Sequence, residues 1–318
     1  MSTSSPSNRS ASFGIQISGQ FPEGMPDPVF FRDLAQAAES LRFESVWSGD
    51  HISFHHPIHE IVVASSFLAA WTERMTIGLG VMLLALRPPV LAAKQVASLD
   101  VLADGRLVLG VGVGGEGSGD YRAVGVPLHE RGTRTDEGID VLRSLWSSGA
   151  GSYDGDHYRV RDVTITPEPT QPGGPPIWIG GRSERALVRV GQRGDGWLAY
   201  LVSPERFARG RESVSRWALA AGRSPSDITF GVMLPTLVDL DGDTSARRIA
   251  RQHLSSRYRT QFSEHALDRY CLVGDPATCR QRLSTYLAAG ATHVVLAPVG
   301  PCASRIEQLK LLRSEVLT

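Results

Sequence analysis

Gly105-Arg-Leu-Val-Leu-Gly-Val-Gly-Val-Gly-Gly-Glu-Gly-Ser-Gly-Asp120 is the stretch on which the reading of the fold turns. Leu107 to Val113 is a β-branched, apolar run of the kind that forms a strand buried on both faces of a parallel sheet. It dissolves into glycine with no helix following at once; the next helical pattern begins near Thr135. Three readings compete. Gly110, Gly112 and Gly115 fit the G-x-G-x-x-G spacing of a dinucleotide fingerprint, but that motif needs a helix opening within the glycines and an acidic residue about 20 positions on. The glycines can instead serve close packing inside a barrel strand. Or the strand opens at its C-terminal end into a loop lining a cofactor pocket, where missing Cβ atoms let a flat or phosphorylated ligand approach the backbone. The third reading best fits a strand that ends in glycine without a helix.

Outward from this strand the chain alternates strand and helix. Phe13–Ile17, Ser45–Ser48 and Thr76–Met82 read as strands before it. Asp27-Pro28 opens a helix running to Leu41, since an Asp oxygen accepts from the free N–H groups of a first turn and Pro suits that turn. Ile61–Trp71 and Pro89–Leu102 read as the next helices, and Thr135–Trp146 follows the glycines. Tyr153-Asp-Gly-Asp-His-Tyr158 then reads as a hairpin around Asp-Gly. Four further strands are expected at Ile177–Ile179, Gly196–Ala199, Thr229–Leu234 and His293–Ala297, with helical sequence after each. Eight strands followed by helices predict a (β/α)8 TIM barrel over residues 13–318, with insertions near 150–176 and 235–272. A doubly wound sheet has the same element order and is the alternative. In both folds a ligand sits beyond the C-terminal ends of the strands.

Composition narrows the function classes. The chain has 318 residues, 42% of them hydrophobic, enough to bury a large core. Its 33 basic and 33 acidic residues cancel, and no basic block suggests nucleic acid. Cys271, Cys279 and Cys302 form no C-x-x-C and fit a reduced, cytoplasmic setting. The Ser-rich residues 1–12 read as a disordered tail without the apolar core of a signal peptide. No apolar run approaches the roughly 20 residues of a membrane span.

The strand ends hold the candidate chemistry. The second strand ends in Trp47-Ser-Gly-Asp50-His51, and an Asp-His pair suits proton handling, the carboxylate orienting an imidazole that titrates near neutrality. The alternative is a structural Asp50 that only caps the next turn. His55, His56 and His59 follow, but nothing at the other strand ends converges with them, and the first strand, Phe13-Gly-Ile-Gln-Ile17, lacks an H-x-H. No metal is expected. The third strand carries Gly80-Val81 at its mouth. The fifth reads Ile177-Trp-Ile-Gly-Gly-Arg-Ser183 and then turns helical. Free N–H groups at a helix start, a hydroxyl, a guanidinium and two glycines make an anion site, or the Ser is an ordinary N-cap.

Taken in order, Trp47-Ser-Gly-Asp-His51, Gly78-Leu-Gly-Val-Met82, Ala103 to Gly115, Arg131-Gly-Thr-Arg-Thr-Asp-Glu137, Trp178-Ile-Gly-Gly181 and Gly194-Asp-Gly-Trp197 resemble the luciferase-like monooxygenase superfamily over Phe13 to Pro298. The resemblance implies a (β/α)8 barrel, a homodimer, and either FMN or the deazaflavin coenzyme F420. The F420-dependent branch has Asp-His at the second strand end, as Asp50-His51 here, where bacterial luciferase has Glu-His-His. Luciferase also places a phosphate-binding Arg where this chain has Val113. Both points favour F420. The branch further implies a non-prolyl cis peptide at Gly80-Val81, behind the deazaflavin ring. The Glu that follows the glycines in the family's sugar-phosphate dehydrogenases falls one position late here, at Glu116, and no basic cluster at the mouth is evident to suit a sugar phosphate.

The expected function is F420-dependent hydride transfer to or from a small organic substrate. His51 and Glu116 are the candidate proton carriers. Asp50, Gly80, Val81, Val113, Gly114, Gly115, Ile179, Gly180, Gly181, Arg182 and Ser183 are the candidate cofactor contacts. Asp239–Tyr270 is a candidate lid. The alternatives are an FMN-dependent monooxygenase fed by a separate reductase and a non-catalytic flavin-binding barrel.

Overall fold

The computed structural model describes residues 11–115, 119–147, 149–240 and 243–317. Eight parallel strands close into a ring: β1 (Ser12–Ser18), β2 (Ser45–Ser48), β3 (Thr76–Leu83), β4 (Leu107–Gly112), β7 (Ile177–Gly180), β8 (Gly196–Tyr200), β9 (Thr229–Val238) and β11 (His293–Pro298). Closure comes through β8–β9, where Gly196 pairs with Thr229, and β1–β11, where Phe13 pairs with Val294. This is the (β/α)8 TIM barrel that the sequence pattern predicts. The doubly wound alternative falls because its sheet would keep two open edges.

Helices follow the strands in the expected order: α1 (Pro28–Ser40), α2 (Ile61–Ala70), α3 (Pro89–Leu102), α4 (Gly119–Ala123), α5 (Arg131–Trp146), α6 (Glu184–Arg193) and α7 (Pro204–Ala220). Then come α8 (Asp243–Tyr258), α9 (Glu264–Tyr270), α10 (Pro276–Ala288) and α11 (Arg305–Leu311), the last running into a π-helical turn at Leu312–Val316. Side-chain caps set the starts: Asp27 accepts from the Phe30 N–H at 3.0 Å, and Asp275 from Thr278 at 2.7 Å. Such a cap is worth about 1 kcal/mol.

Alternation along the strands divides the interior into two cores. Leu107, Leu109 and Val111 of β4 point outward into the layer shared with the helices, as do Ile177 and Ile179 of β7. The residues between them point into the barrel, where Trp47, Trp178, Leu198 and Met233 pack together. Two indoles fit there because the strands yield space. A Cβ on Gly78 would sit 2.2 Å from the Trp47 ring, and one on Gly196 2.5 Å from Trp178. Below them His293 is bracketed by Ser12 Oγ at 2.5 Å and Ser45 Oγ at 2.9 Å. Burial pushes its pKa down to about 4, so the imidazole stays neutral.

The insertions lie outside the ring. β5 (Gly151–Asp154) and β6 (Arg159–Val163) form the expected antiparallel hairpin, which Glu137 of α5 ties down by accepting from the N–H groups of residues 156–158. The second insertion holds α8, α9 and a short strand not expected from sequence, β10 (Leu272–Gly274), which extends the sheet beside the C-terminal half of β9. A separate apolar cluster, including Ala250, Leu254 and Phe262, anchors it.

Candidate active site

The C-terminal ends of β2, β3 and β4 meet at one side of the mouth. His51 leaves β2 with its ring stacked on Phe54 at 4.2 Å between centroids. Its side chain is 13% exposed, and Nδ1 lies 2.8 Å from Asp120 Oδ2. A carboxylate can only accept here, so Nδ1 carries the proton and the remaining ring nitrogen, Nε2, has the basic lone pair. Asp120 Oδ1 accepts from the backbone N–H groups of Ile52 and Ser53, both at 2.7 Å. Three hydrogen bonds to one carboxylate fix the imidazole and its loop together. Next to it, the buried Tyr121 donates to the Val113 carbonyl at 2.7 Å and pins the end of β4. Burial raises the Tyr121 pKa to about 12.

This corrects the expectation that Asp50 orients His51. The Asp50 side chain is fully buried and faces the other way. Its Oδ2 accepts from Arg87 Nη1 at 2.7 Å and the Leu83 N–H at 2.9 Å, and its Oδ1 from Arg87 Nη2 at 2.9 Å. Successive residues at a strand end point to opposite sides, so neighbours in sequence do not share a partner. Arg87 also reaches Glu60 at 2.8 Å. Burial disfavours the Arg87 charge, but its bonds to Asp50 and Glu60 outweigh that and leave its pKa raised. The Asp50–Arg87 pair ties β2 to the turn after β3, a structural task that consumes both Asp50 oxygens.

The peptide Gly80–Val81 is cis, as the resemblance implies. Val81 turns its methyls toward β4 and β7: a Cβ on Gly112 would lie 2.4 Å from Val81 Cγ2, and one on Gly180 2.9 Å from Cγ1. Gly110 is closed in likewise: a Cβ there would sit 2.1 Å from the Leu79 carbonyl oxygen. The glycines of the β4 strand itself therefore serve packing, the second of the three readings. Only the loop beyond fits the third. Gly114 takes φ +63°, and a Cβ on Gly115 would meet nothing within 4 Å. The Val81 side chain thus covers Gly112 and Gly180 and, itself partly exposed, turns a shallow apolar face with no bulky side chain toward the mouth, suited to a flat ring.

Ile179 departs from expectation: its side chain faces the helix layer, 1% exposed, so only its backbone borders the mouth. Gly181 has φ +125° and its carbonyl accepts from Trp197 Nε1 at 2.8 Å. Ser183 caps α6, its Oγ accepting from the Ala186 N–H at 3.3 Å, so the N-cap reading is correct for its hydroxyl. Arg182 donates to the carbonyl of Leu201 at 3.1 Å. Beside these residues a cavity of about 310 Å³ opens between α6 and α7, lined among others by Arg182, Ser183, Arg206, Arg209 and Arg216. The three α7 arginines were not singled out from sequence, although their spacing places them on one face of a helix. Three or four guanidiniums beside a helix start fit the phosphate of a flavin or deazaflavin.

Glu116 lies outside the described residues. His55 and His56 touch Ser256 of α8 at 3.2 and 3.1 Å, and His59 packs edge-on against Phe31. His55 and His56 lie side by side, ring centroids 4.4 Å apart, while His59 packs elsewhere, and among the described residues no group of three His, Cys, Asp or Glu side chains is placed to hold a metal. No helix among them is long and apolar enough to cross a membrane. The Ser256 contacts lay α8 across the mouth, and Tyr258 donates to the Tyr200 hydroxyl at 2.5 Å to hold it against β8.

The profile of the luciferase-like monooxygenase family matches residues 11–293. A protein of Mycobacterium tuberculosis described as uncharacterized is 33% identical over 245 residues, 70% of this chain and 81% of its own. An F420-dependent glucose-6-phosphate dehydrogenase of Kineococcus radiotolerans is 27% identical, covering 87% of this chain and 89% of its own. Among solved structures, the coenzyme F420-dependent tetrahydromethanopterin reductase of Methanopyrus kandleri superposes with a TM-score of 0.81 at 20% identity, over 97% and 99% of the two chains. That likeness establishes the fold.

Proposed function

The chain belongs to the luciferase-like monooxygenase family, and from that premise we propose that it is an F420-dependent oxidoreductase acting on a small organic substrate. The observation that carries the reading is the His51–Asp120 pair at the edge of the mouth, on the strand next to the flat wall of Val81, Gly112 and Gly180. An F420-dependent relative across 87% of the chain supports the choice of cofactor, as does Val113 in place of a phosphate-binding Arg.

When bound, the deazaflavin supplies or accepts a hydride at C5. The chain would hold it by the Val81 wall and by the glycine turn Gly180-Gly181, with Arg182, Arg206 and Arg209 balancing the phosphate charge. His51 Nε2 takes a proton from a substrate hydroxyl in one direction and returns it in the other, while Asp120 holds Nδ1–H and stabilises the imidazolium. The helix α8 keeps water from the mouth.

Fluorescence-quenching titrations with F420 and FMN, side by side, test the assignment. Tighter F420 binding is expected. Tighter FMN binding would overturn it in favour of a reductase-fed monooxygenase. Tight F420 binding with no turnover of any alcohol, imine or activated alkene would favour a non-catalytic binding barrel.

A further inference from the structure

The mouth has a second wall, built around a buried guanidinium with no ion-pair partner among the described residues. Arg305 opens α11 and is 6% exposed, yet its Nε is buried without an acceptor. No carboxylate among the described residues forms an ion pair with it. Glu23 and Cys302 favour its charge only from a distance. Burial, reinforced by the neighbouring Arg257, drives its pKa down. Gln20, also 6% exposed, has a buried Oε1 with no donor, an arrangement that favours the amide turned over, with its NH2 donating into the same space. Arg305 and Gln20 line one small cavity of about 20 Å³ together with Gln16, His253 and Arg257. His253 Nδ1 accepts from the Gly300 N–H at 3.2 Å, so the His253 proton sits on Nε2 and the ring is a second donor. No basic cluster was evident at the mouth in the sequence, because its members come from α8 and α11, far apart in the chain.

A buried, unpaired charge is costly, and replacing it with an apolar side chain ordinarily stabilises a protein. A site that keeps the Arg305 guanidinium without an ion pair, beside an imidazole N–H, the Gln20 amide and the positive charge of Arg257, which stacks on Tyr200 and Tyr258, is arranged for an anion. Its place in the ring says which molecule brings the anion. The order around the barrel is β9-β11-β1-β2-β3-β4-β7-β8. The cavity lies at the ends of β1 and β11. Strand β11 stands four strands from β4, and β1 four from β7, so the cavity faces the Val81–Gly112–Gly180 wall across the mouth. His51, on β2, lies on the arc between them.

We propose that Arg305, with Gln20, His253 and Arg257, binds the carboxylate of the substrate, which makes the substrate class a small organic acid whose reacting carbon points across the mouth toward β4 and β7. The substrate half of this inference rests on the oxidoreductase reading above; the anion site does not. A planar carboxylate fits the fork of one guanidinium in a cavity this small better than a tetrahedral phosphate does.

Thermal unfolding of the cofactor-free full chain, titrated with acetate, acetamide or inorganic phosphate at constant ionic strength, tests the site. Acetate should raise the unfolding temperature of wild type saturably, while neutral acetamide should not. Arg305→Met should unfold about 2 °C or more above wild type in the absence of ligand. The same variant should bind acetate about tenfold or more weakly. Equal acetate responses in the two proteins would overturn the proposal, as would a response to phosphate but not to acetate, or a lower unfolding temperature for Arg305→Met. If that variant cannot be obtained folded, Gln20→Leu decides: a weakened acetate response supports the site and an unchanged one refutes it. Because no cofactor is present, failure here leaves the F420 reading standing, and failure of the F420 titration leaves the anion site standing.

Discussion

Replacing Asp120 by Asn tests the proton chemistry with the smallest change of shape. The carboxylate oxygen Oδ1 accepts from Ile52 and Ser53 at 2.7 Å, and Oδ2 takes the His51 Nδ1 proton at 2.8 Å. An amide must keep its oxygen on the two backbone donors, which turns its NH2 toward His51. The imidazole must then present Nδ1 as acceptor and carry its proton on Nε2, the atom meant to receive one. General acid–base catalysis contributes about 10²–10⁴-fold, or ~3–5 kcal/mol of barrier. Turnover should fall by that amount, with cofactor affinity nearly unchanged, since Asp120 touches the loop and the ring. Three charge-assisted bonds become neutral, so stability should drop by about 1–3 kcal/mol. That corresponds to roughly 1.5–4.5 °C in a barrel of this size. Steady-state turnover, F420 titration and thermal unfolding on the same preparation separate the three effects. Turnover within about tenfold of wild type at full cofactor occupancy would refute the role given to His51 and Asp120. So would a loss explained wholly by weaker F420 binding.

Other consequences follow from the packing. His293 is held near pKa 4 by burial, against about 6.5 in an unfolded chain. The unfolded state therefore binds the extra proton as pH falls through that window, and up to ~3 kcal/mol of stability is lost by about pH 4; urea unfolding of His293→Asn should show a shallower pH dependence, and an equal slope would discount His293. Gly112→Ala brings a Cβ within 2.4 Å of Val81 Cγ2, which should cost about 1–3 kcal/mol. Val81→Ala should recover part of that loss, and a simple sum of the two destabilisations would show that they do not meet. Val63, Phe67 and Trp71 make an exposed apolar stripe along α2 at helical spacing, so the expected homodimer should form through it. Sedimentation should find a dimer in wild type and a monomer in Val63→Asp/Phe67→Asp; a monomeric wild type would dismiss the stripe as an interface.

The fold was legible because strand and helix periods are local. Seven of the eight barrel strands match their expected bounds within about two residues at each end, since each is a short apolar run between turn residues. The exception, β9, runs on to Val238 because it changes partners, pairing with β8 near its start and with β10 at its end. Such a change of partner leaves no periodic mark, and three residues of β10 are too few to show alternation. The site was legible only where chemistry follows the chain. His51, just past the end of β2, and the Gly80–Val81 bulge within β3 lie in segments that sequence marks plainly. Asp120 is 69 residues from His51 and sits in the short helix α4, and Asp50, the adjacent carboxylate, offered a nearer but wrong partner. The glycines were legible as glycines but not by cause. Gly78 makes room for Trp47 and Gly112 for Val81, and both partners are set by closure of the barrel. Arg305 and His253 are likewise joined only in three dimensions.

The central claim, that this barrel works with a deazaflavin, is tested most directly by purifying the chain from a host that makes both F420 and FMN, and identifying the bound molecule by mass and absorbance. The account predicts F420, whose absorbance bleaches when a substrate of the correct class is added. FMN in its place, not displaced by excess F420, would contradict the account.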